Sequence, residues 1–228
     1  TVYTHNPDLK PQKAKSIIPP VVTTPKTSQQ KFSNDVPGNN QNLIDKYGFV
    51  SPILEGKIGS RGYNPEPVYH PVYGTERSHS GQDIGAKVGT PVYAIADGTV
   101  TFSYCIVPEV GTGVIYTYDE GNSAKLVFEG GNARYNHLSA FIVDGASTSP
   151  RYSSKDIKID EKKVKRITIA ETKEVKKGDI IGYTGNSGTS TDPHLHFTLY
   201  LFGAPDAYTG DKYKGTVDPL KYVPFPLK

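Results

Sequence analysis

Five side chains in three separate segments have the types and spacing needed for metal-assisted hydrolysis. His79 and Asp83 are four residues apart, His194 and His196 are two apart, and His137 lies between the two pairs. A catalytic zinc ion takes three ligands from histidine and carboxylate side chains and keeps a fourth position for water. Two histidines at positions i and i+2 of a strand point to the same face. The pattern predicts a zinc site, with two further histidines beside it for proton transfer.

Each part of this pattern is weak evidence when it is taken alone. An isolated pair such as His194 and His196 more often has no metal-binding role, and the spacing of His79 and Asp83 is less specific still. His137, followed by a leucine, is most simply a packed and hydrogen-bonded residue. The prediction depends on the three segments meeting at one place in the fold.

The elements that must bring these segments together are predicted to be short strands. The 228 residues include 23 glycines and 18 prolines, which interrupt regular structure, and no segment shows sustained helical periodicity. We expect a mostly β domain with short loops and little helix. Its predicted elements are a hairpin over 90–104, strands at 114–118, 125–128, 180–184 and 194–202, and one short helix at 42–47.

The domain boundaries follow changes in composition. Residues 1–45 are rich in Pro, Lys, Thr, Ser and Asn, and they are predicted to form an extended or disordered arm, either a spacer or a segment that docks on a partner. Residues 46–205 are expected to form the folded domain, with a charged insertion at about 147–174 that is predicted to be a solvent-facing hairpin. Residues 206–228 are expected to cross the domain as a C-terminal strap.

Charge and cysteine content exclude some classes of protein. The formal net charge of +3 is too small to indicate nucleic-acid binding. No apolar run approaches the roughly 20 residues that a membrane-spanning helix needs. Cys105 is the only cysteine, so the chain forms no internal disulfide, and we expect it to be a small core residue. The chain contains no methionine, and we expect its original start to precede Thr1.

The site segments also resemble a known family. The sequence is similar to the lysostaphin/LytM-type zinc metallopeptidase domain over about residues 70–202, and the matching segments occur in the same order as in the family. The segments that carry the resemblance are His79–Ile84, Gly89–Val92, Ala96–Val100, Tyr135–Ser139, Val175–Gly182, Gly185–Thr189 and Pro193–Phe197.

The resemblance implies roles for individual residues. His79, Asp83 and His196 match the zinc ligands of the family, with one Zn²⁺ per chain, and His137 and His194 match its two catalytic histidines. Tyr73 is a candidate donor to the oxyanion, against a simple packing role. The implied fold is a compact antiparallel β-sheet or β-sandwich-like domain. The implied activity is that of a zinc-dependent endopeptidase that hydrolyses stem peptides or cross-bridges of bacterial peptidoglycan.

The setting and the alternatives remain open at the level of sequence. We expect an extracytoplasmic location, secreted, periplasmic or wall-associated, or a place in a phage virion, with the arm available to an assembly partner. A non-catalytic structural or adaptor protein that retains the fold is the alternative.

The chain departs from the family at Thr198, where an acidic residue is common, and in the insertion. Gly182, Gly185 and Gly188 are expected to form a tight turn before the strand that carries His194 and His196.

Overall fold

The computed structural model describes residues 41–59, 61–70, 74–143, 145–153 and 157–225. Residues 1–40 of the predicted arm and the candidate Tyr73 lie outside these residues, so the predictions made for them stay predictions. The last five residues of the predicted arm, 41–45, lie in a helix. Among the described residues, no helix has the length and apolar character needed to cross a membrane.

The described chain is mostly β-structure, as the sequence predicts. It contains one short helix, twelve strands and three single turns of 3₁₀-helix. The helix is α1 (Gln41–Tyr47), and the strands are β1 (Lys57–Ile58), β2 (Asn64–His70), β3 (Thr75–His79), β4 (Gln82–Gly85), β5 (Pro91–Tyr93), β6 (Gly98–Pro108), β7 (Ile115–Phe128), β8 (Gly131–Phe141), β9 (Lys165–Val175), β10 (Ile180–Thr184), β11 (His194–Leu201) and β12 (Thr216–Val217).

Ten of the strands form one antiparallel sheet. Its main path runs β1-β4-β11-β8-β7-β6-β9, with β10 bonded to β5 and β8, and β12 bonded to β11. Strands β2 and β3 pair as a separate two-stranded ribbon that ends at His79. Because β4, β11 and β8 are neighbours in the main sheet, three of the predicted site segments lie side by side.

One face of this sheet is covered by the hydrophobic core. Alternate residues of β8 and β11, such as Tyr135 and Phe197, are fully buried and stack edge to face with ring centroids 5.1 Å apart. The C-terminal segment contributes Phe225, whose ring centroid lies 5.9 Å from that of Phe197. Near the other end, Phe49 packs against Phe128, and Cys105 is buried in β6. Period-two alternation leaves the opposite face of the same strands free to carry polar groups.

The hairpin predicted over 90–104 is wrong. Its two halves form strands β5 and β6, but they do not pair with each other. β5 pairs with β10, and β6 pairs with β7 and β9, so the Asp97-Gly98 turn connects two different regions of the sheet. Asp97 instead binds the backbone N–H of Lys177 at 2.8 Å and the ammonium of Lys176 at 3.1 Å.

The two strands predicted at 114–118 and 125–128 are one strand. β7 continues through the intervening residues, where Asp119 and Gly121 both have positive φ angles, 50° and 61°. A local irregularity of this kind bends a strand without ending it. The residue types that indicate a turn are therefore used here to distort β7 where it passes the site.

The insertion at 147–174 does not form the predicted hairpin. Its second half is the single strand β9, which pairs along β6 and ends the main path of the sheet. Its first half makes bridges at Arg151 and Ile159 to residues of β7 and of the loop before it. The alternating isoleucines and lysines are therefore typical of an edge strand, which has one packed and one exposed face.

Candidate metal centre and active site

Strands β4 and β11 bring Asp83 and His196 opposite each other. The register pairs His196 with Asp83 on one side and with Asn136 of β8 on the other. Residues directly opposite in an antiparallel pair project to the same face, so all three side chains lie on the face away from the core. His79, at the end of β3, approaches Asp83 from the separate ribbon.

Three imidazole nitrogens converge on a single carboxylate oxygen. From Asp83 Oδ1 the distance is 2.8 Å to His196 Nδ1, 3.2 Å to His79 Nε2 and 3.6 Å to His194 Nε2. One ligand atom from each of His79, Asp83 and His196 lies within 4.8 Å of the others. Two imidazoles and one carboxylate with their donor atoms directed at a common point form a donor set that can hold a divalent metal ion.

The surroundings of each histidine fix which nitrogen faces that point. His79 donates its Nδ1–H to the carbonyl of Gly62 at 2.8 Å, which leaves Nε2 directed toward Asp83. His196 is held in the opposite sense, with Nδ1 toward Asp83 and Nε2 3.0 Å from Thr198 Oγ1. A metal-binding histidine normally makes such a hydrogen bond with its other nitrogen. Thr198, where the family commonly has an acidic residue, supplies this contact through a hydroxyl group.

The titration of Asp83 and His196 reflects this geometry. Burial opposes ionisation of Asp83, but hydrogen bonds from His196 and His79 outweigh it and hold the pKa of the carboxyl well below its usual range. Burial lowers the pKa of His196, although Asp83 acts in the opposite direction. A neutral imidazole beside an ionised carboxylate is the protonation state that binds a cation.

His137 and His194 form a second pair beside this donor set. Their ring centroids are 4.7 Å apart. His137 donates its Nδ1–H to the carbonyl of Ser187 at 2.8 Å, and His194 donates its Nδ1–H to the carbonyl of Asp192 at 2.8 Å. Both rings therefore present Nε2. Burial lowers the pKa of His137, and the neighbouring His194 and His196 lower it further, so its Nε2 is a neutral proton acceptor.

A β-bulge places His137 on the site face. Tyr135 and Leu138 of β8 are both buried in the core, and only Ser123 of β7 stands opposite the two residues between them. Two residues opposite one is the arrangement of a bulge, and His137 has a positive φ of 63° there. The bulge directs both Asn136 and His137 away from the core.

The turn before β11 is held by close backbone packing, as the glycines predict. Gly188 has a φ of 73°, and a Cβ atom there would lie 2.4 Å from the carbonyl oxygen of Asp119. A Cβ atom at Gly185 would lie 2.4 Å from the backbone nitrogen of Ser139. The turn therefore rests directly on the distorted part of β7 and on β8, and this contact fixes Ser187 under His137.

The five predicted histidine and aspartate residues line one cavity of about 710 Å³. The structure brings all five together, while Tyr73 lies outside the described residues. The cavity also has walls that the sequence did not single out, including Arg77, Asp119, Glu120 and Asn136. Burial and the neighbouring Glu120 raise the pKa of Asp119. Asn136 is adjacent to His137 in the sequence, which is a signal that could have indicated its place at the site. Asp119 and Glu120 lie between the strands predicted at 114–118 and 125–128, where residue types indicate a turn and not a site.

Comparisons with known proteins point to one family. Residues 161–207 match the family model of peptidase family M23. Over 165 residues the chain is 31% identical to the DD-carboxypeptidase/endopeptidase Mpg of Neisseria meningitidis, covering 72% of this chain and 29% of that protein. Over 138 residues it is 33% identical to the glycyl-glycine endopeptidase ALE-1 of Staphylococcus capitis, covering 60% of this chain and 27% of that protein. The chain thus spans less than a third of the length of these relatives.

Among solved structures, the chain is similar to the catalytic domain of the antimicrobial peptidase lysostaphin from Staphylococcus simulans. The match has 27% sequence identity and a TM-score of 0.41, and it covers 72% of this chain and 90% of that domain.

Proposed function

Because the chain carries a domain of peptidase family M23, we propose that it is a zinc-dependent endopeptidase that hydrolyses peptide bonds of bacterial peptidoglycan. The observation that carries the proposal is the convergence of His79, Asp83 and His196 on one point, with His137 and His194 beside them in the same cavity. The relatives named above as endopeptidases support the reaction, and a further relative, the peptidoglycan DD-endopeptidase ShyA of Vibrio cholerae, supports peptidoglycan as substrate.

We assign the metal as zinc from the chemistry of the donor set. Two imidazoles and one carboxylate are the ligands of a catalytic zinc site, which keeps a position for water or substrate. His79 would bind through Nε2 and His196 through Nδ1, the nitrogens that face Asp83. When bound, zinc supplies a Lewis acid for a peptide carbonyl and lowers the pKa of water toward neutrality.

His137 is the residue best prepared to take a proton. Its Nδ1–H is engaged by the Ser187 carbonyl, its low pKa keeps Nε2 unprotonated near neutral pH, and Nε2 faces the cavity. A general base in this state can remove the proton of an attacking water and pass it to the leaving amine.

His194 is the residue best placed to hold the developing oxyanion. Its Nδ1 is tied to the Asp192 carbonyl, with Ser190 Oγ 3.2 Å away, so the ring orientation is fixed before substrate arrives. Since Nδ1 keeps its proton on that carbonyl, only the imidazolium form of His194 carries an Nε2–H that can donate to the oxyanion. In that form, a fixed donor that needs no reorganisation stabilises charge at the carbonyl oxygen more effectively than a mobile one. Tyr73, five residues before Ser78 in the sequence, remains a proposed second donor.

A peptidoglycan substrate also implies where the protein acts. We propose an extracytoplasmic location, in a secreted, periplasmic or wall-associated protein or in a phage virion. The proposed partners are the peptide chains of the wall, with an assembly partner for residues 1–45 as a further possibility to test.

The test is digestion of purified peptidoglycan by the zinc-loaded protein, followed by mass spectrometry of the released fragments. We expect new amine ends with the intact protein and with Asp97→Asn, whose exposed carboxylate binds Lys176 and Lys177 and does not line the histidine-lined cavity. We expect their loss with His194→Ala or after zinc is removed by a chelator. If neither the intact protein nor a chain shortened by residues 1–40, which leaves helix α1 whole, releases fragments from several wall types, the non-catalytic adaptor role becomes the better account.

A further inference from the structure

The polar face of the main sheet continues beyond the metal-binding residues. From His196 the register leads to Asn136 of β8, and two residues earlier in β8 Arg134 stands opposite Lys125 of β7. Lys125 in turn stands opposite Thr101 of β6. We call these five residues the polar strip. Their alternate neighbours form the core, so the polar strip is the solvent side of the same strands that hold the site.

A second cavity of about 490 Å³ lies over this strip. Its walls include Lys125, Arg134 and Arg166, the last contributed by the edge strand β9. Asn136 and Glu120 line both this cavity and the histidine-lined one. The two cavities therefore share part of their walls at these two residues.

The charges around the second cavity favour an anion. Glu120 binds Arg134 at 3.0 Å and Arg166 at 2.5 Å, which fixes both guanidinium groups at the cavity wall. With Lys125 the wall carries three cationic side chains and the single carboxylate of Glu120. Arginine held in this way is suited to binding a carboxylate, since its planar donor groups match the two oxygens.

Two buried polar atoms at the junction have no hydrogen-bond partner. They are Oδ1 of Asn136, a residue that is only 5% exposed, and Nε of Arg134. Buried polar atoms without a partner are uncommon in folded proteins because each loses its hydrogen bond to water without replacing it. One is an acceptor and the other a donor, and both project from the site face of β8.

We propose that Asn136, Arg134 and the Glu120–Arg166 pair form a substrate subsite for an extended peptide segment that carries a free carboxylate. The inference rests on the proposed function and specifies its substrate. The guanidinium groups of Arg134 and Arg166, held by Glu120 at the wall of the second cavity, bind the carboxylate, and the Asn136 side chain lies beside the peptide segment that leads from the histidines. Residues two apart on a strand are separated by roughly 6.5–7 Å. An extended substrate has the same repeat, so it presents successive polar groups at the matching interval.

The test compares two forms of one probe. The probe is a cross-linked peptide dimer released from peptidoglycan, used with its carboxylates free and with the same carboxylates converted to carboxamides. Binding is measured by calorimetry on the full chain without added metal, so the readout does not depend on cleavage. We expect the free-carboxylate form to bind at least about tenfold more tightly, a difference of about 1.4 kcal/mol.

Variants assign this preference to residues. Arg134→Gln and Arg166→Gln are expected to bring the ratio of the two affinities toward one, and Asn136→Ala to weaken both forms equally. The Arg166 side chain is 42% exposed, so its replacement leaves the fold intact even if Arg134→Gln does not. Lys173→Gln is the matched control, because Lys173 also lies in β9 but pairs with the core residue Val100, off the polar strip.

Two results would overturn the subsite: equal affinity of the intact protein for the two forms, or a ratio that Arg166→Gln and Arg134→Gln leave unchanged. Tight binding of the carboxylate form by a protein that releases no wall fragments would keep the subsite and reject the hydrolase. Release of fragments with no preference for the carboxylate would do the reverse.

Discussion

Asn136 and His137 are consecutive residues, and both side chains line the same cavity. In a regular strand they would point to opposite faces, and one would enter the core. The bulge opposite Ser123 removes this constraint and gives one strand two different groups at the site. His137 faces the other histidines, and Asn136 stands between them and the second cavity.

Replacement of Thr198 by valine should weaken metal binding without removing a ligand. The variant keeps the shape of the side chain and deletes the hydroxyl that contacts His196 Nε2. Loss of such a supporting contact typically lowers metal affinity about 10–100-fold. Zinc affinity can be measured by competition with a chromogenic chelator.

Two further variants bracket this result. Asp83→Ala, which removes a proposed ligand, should weaken binding more than Thr198→Val, while Asp97→Asn, an exposed aspartate that binds Lys176 and Lys177, should leave it unchanged. Equal zinc affinity in the Thr198→Val variant and the intact protein would show that the hydroxyl does not support the ligand.

Gly188→Ala should destabilise the fold strongly. The substitution forces an L side chain into a φ of 73° and places its Cβ 2.4 Å from the Asp119 carbonyl oxygen. The left-handed conformation costs about 1–2 kcal/mol, and the clash with main-chain atoms adds to it, for a total of at least about 2 kcal/mol. Urea unfolding measures the loss.

The control for this prediction is Gly89→Ala. Gly89 has a similar φ of 87°, but no atom lies within 4 Å of the added Cβ. It should show the conformational cost without the clash, and an equal loss for the two variants would contradict the packing argument.

Tyr135→Phe should destabilise the protein by about 1–3 kcal/mol. The hydroxyl of Tyr135 accepts a hydrogen bond from the backbone N–H of Ile95 at 3.2 Å in the middle of the core. Removing it leaves a buried donor unpaired. Urea unfolding is again the measurement, with Tyr69→Phe as the matched control, because Tyr69 is 67% exposed. A loss no larger than that of the control would mean that the backbone group finds another partner.

Acid should remove the contribution that the Asp206 carboxylate makes to the stability of the fold. Burial alone would raise the pKa of this carboxyl, but hydrogen bonds from Tyr222 and Lys221 outweigh it and lower the pKa. Because the pKa is lowered in the folded state, the ionised carboxylate stabilises the fold at pH values above the ordinary pKa of 3.8. This stabilisation is lost as the pH falls through the lowered pKa. The midpoint of thermal unfolding of Asp206→Asn should therefore fall further below that of the intact protein at pH 6 than at pH 3.

The ion pair between Asp206 and Lys221 is partly exposed to solvent, so we expect the change in the unfolding midpoint to be modest. Asp211→Asn, which removes a carboxylate from the 3₁₀ turn Asp211–Tyr213, provides the comparison. A gap between Asp206→Asn and the intact protein that is the same at pH 6 and pH 3 would contradict the assigned role.

The sequence predicted individual strands and the site better than it predicted strand pairing. β10 has the predicted bounds and β11 differs by one residue, because short apolar runs between glycine-rich turns are local signals. The pairing of β5 with β10 joins residues about 90 positions apart, and no local pattern encodes it. The turn residues Asp119 to Asn122 were misleading for the same reason, since only contact with the Ser187–Gly188 turn explains the distortion of β7.

The subsite residues could not be found from the sequence either. Glu120 of β7 meets Arg134 on the neighbouring strand β8, and it meets Arg166 only because β9 completes the edge of the sheet. In contrast, the five candidate metal-binding and catalytic residues could be predicted from the sequence, since their types and spacing already restrict the chemistry.

The orientation of the histidines has a consequence for how the domain can vary. His79, His137 and His194 are each held through a main-chain carbonyl, of Gly62, Ser187 and Asp192. Every amino acid supplies such a carbonyl, so the side chains of these loops can diverge while the imidazole orientations persist. Mutational tolerance at the rim of the cavity is therefore limited by the path of the backbone, and the side chains there can change without moving the imidazole rings.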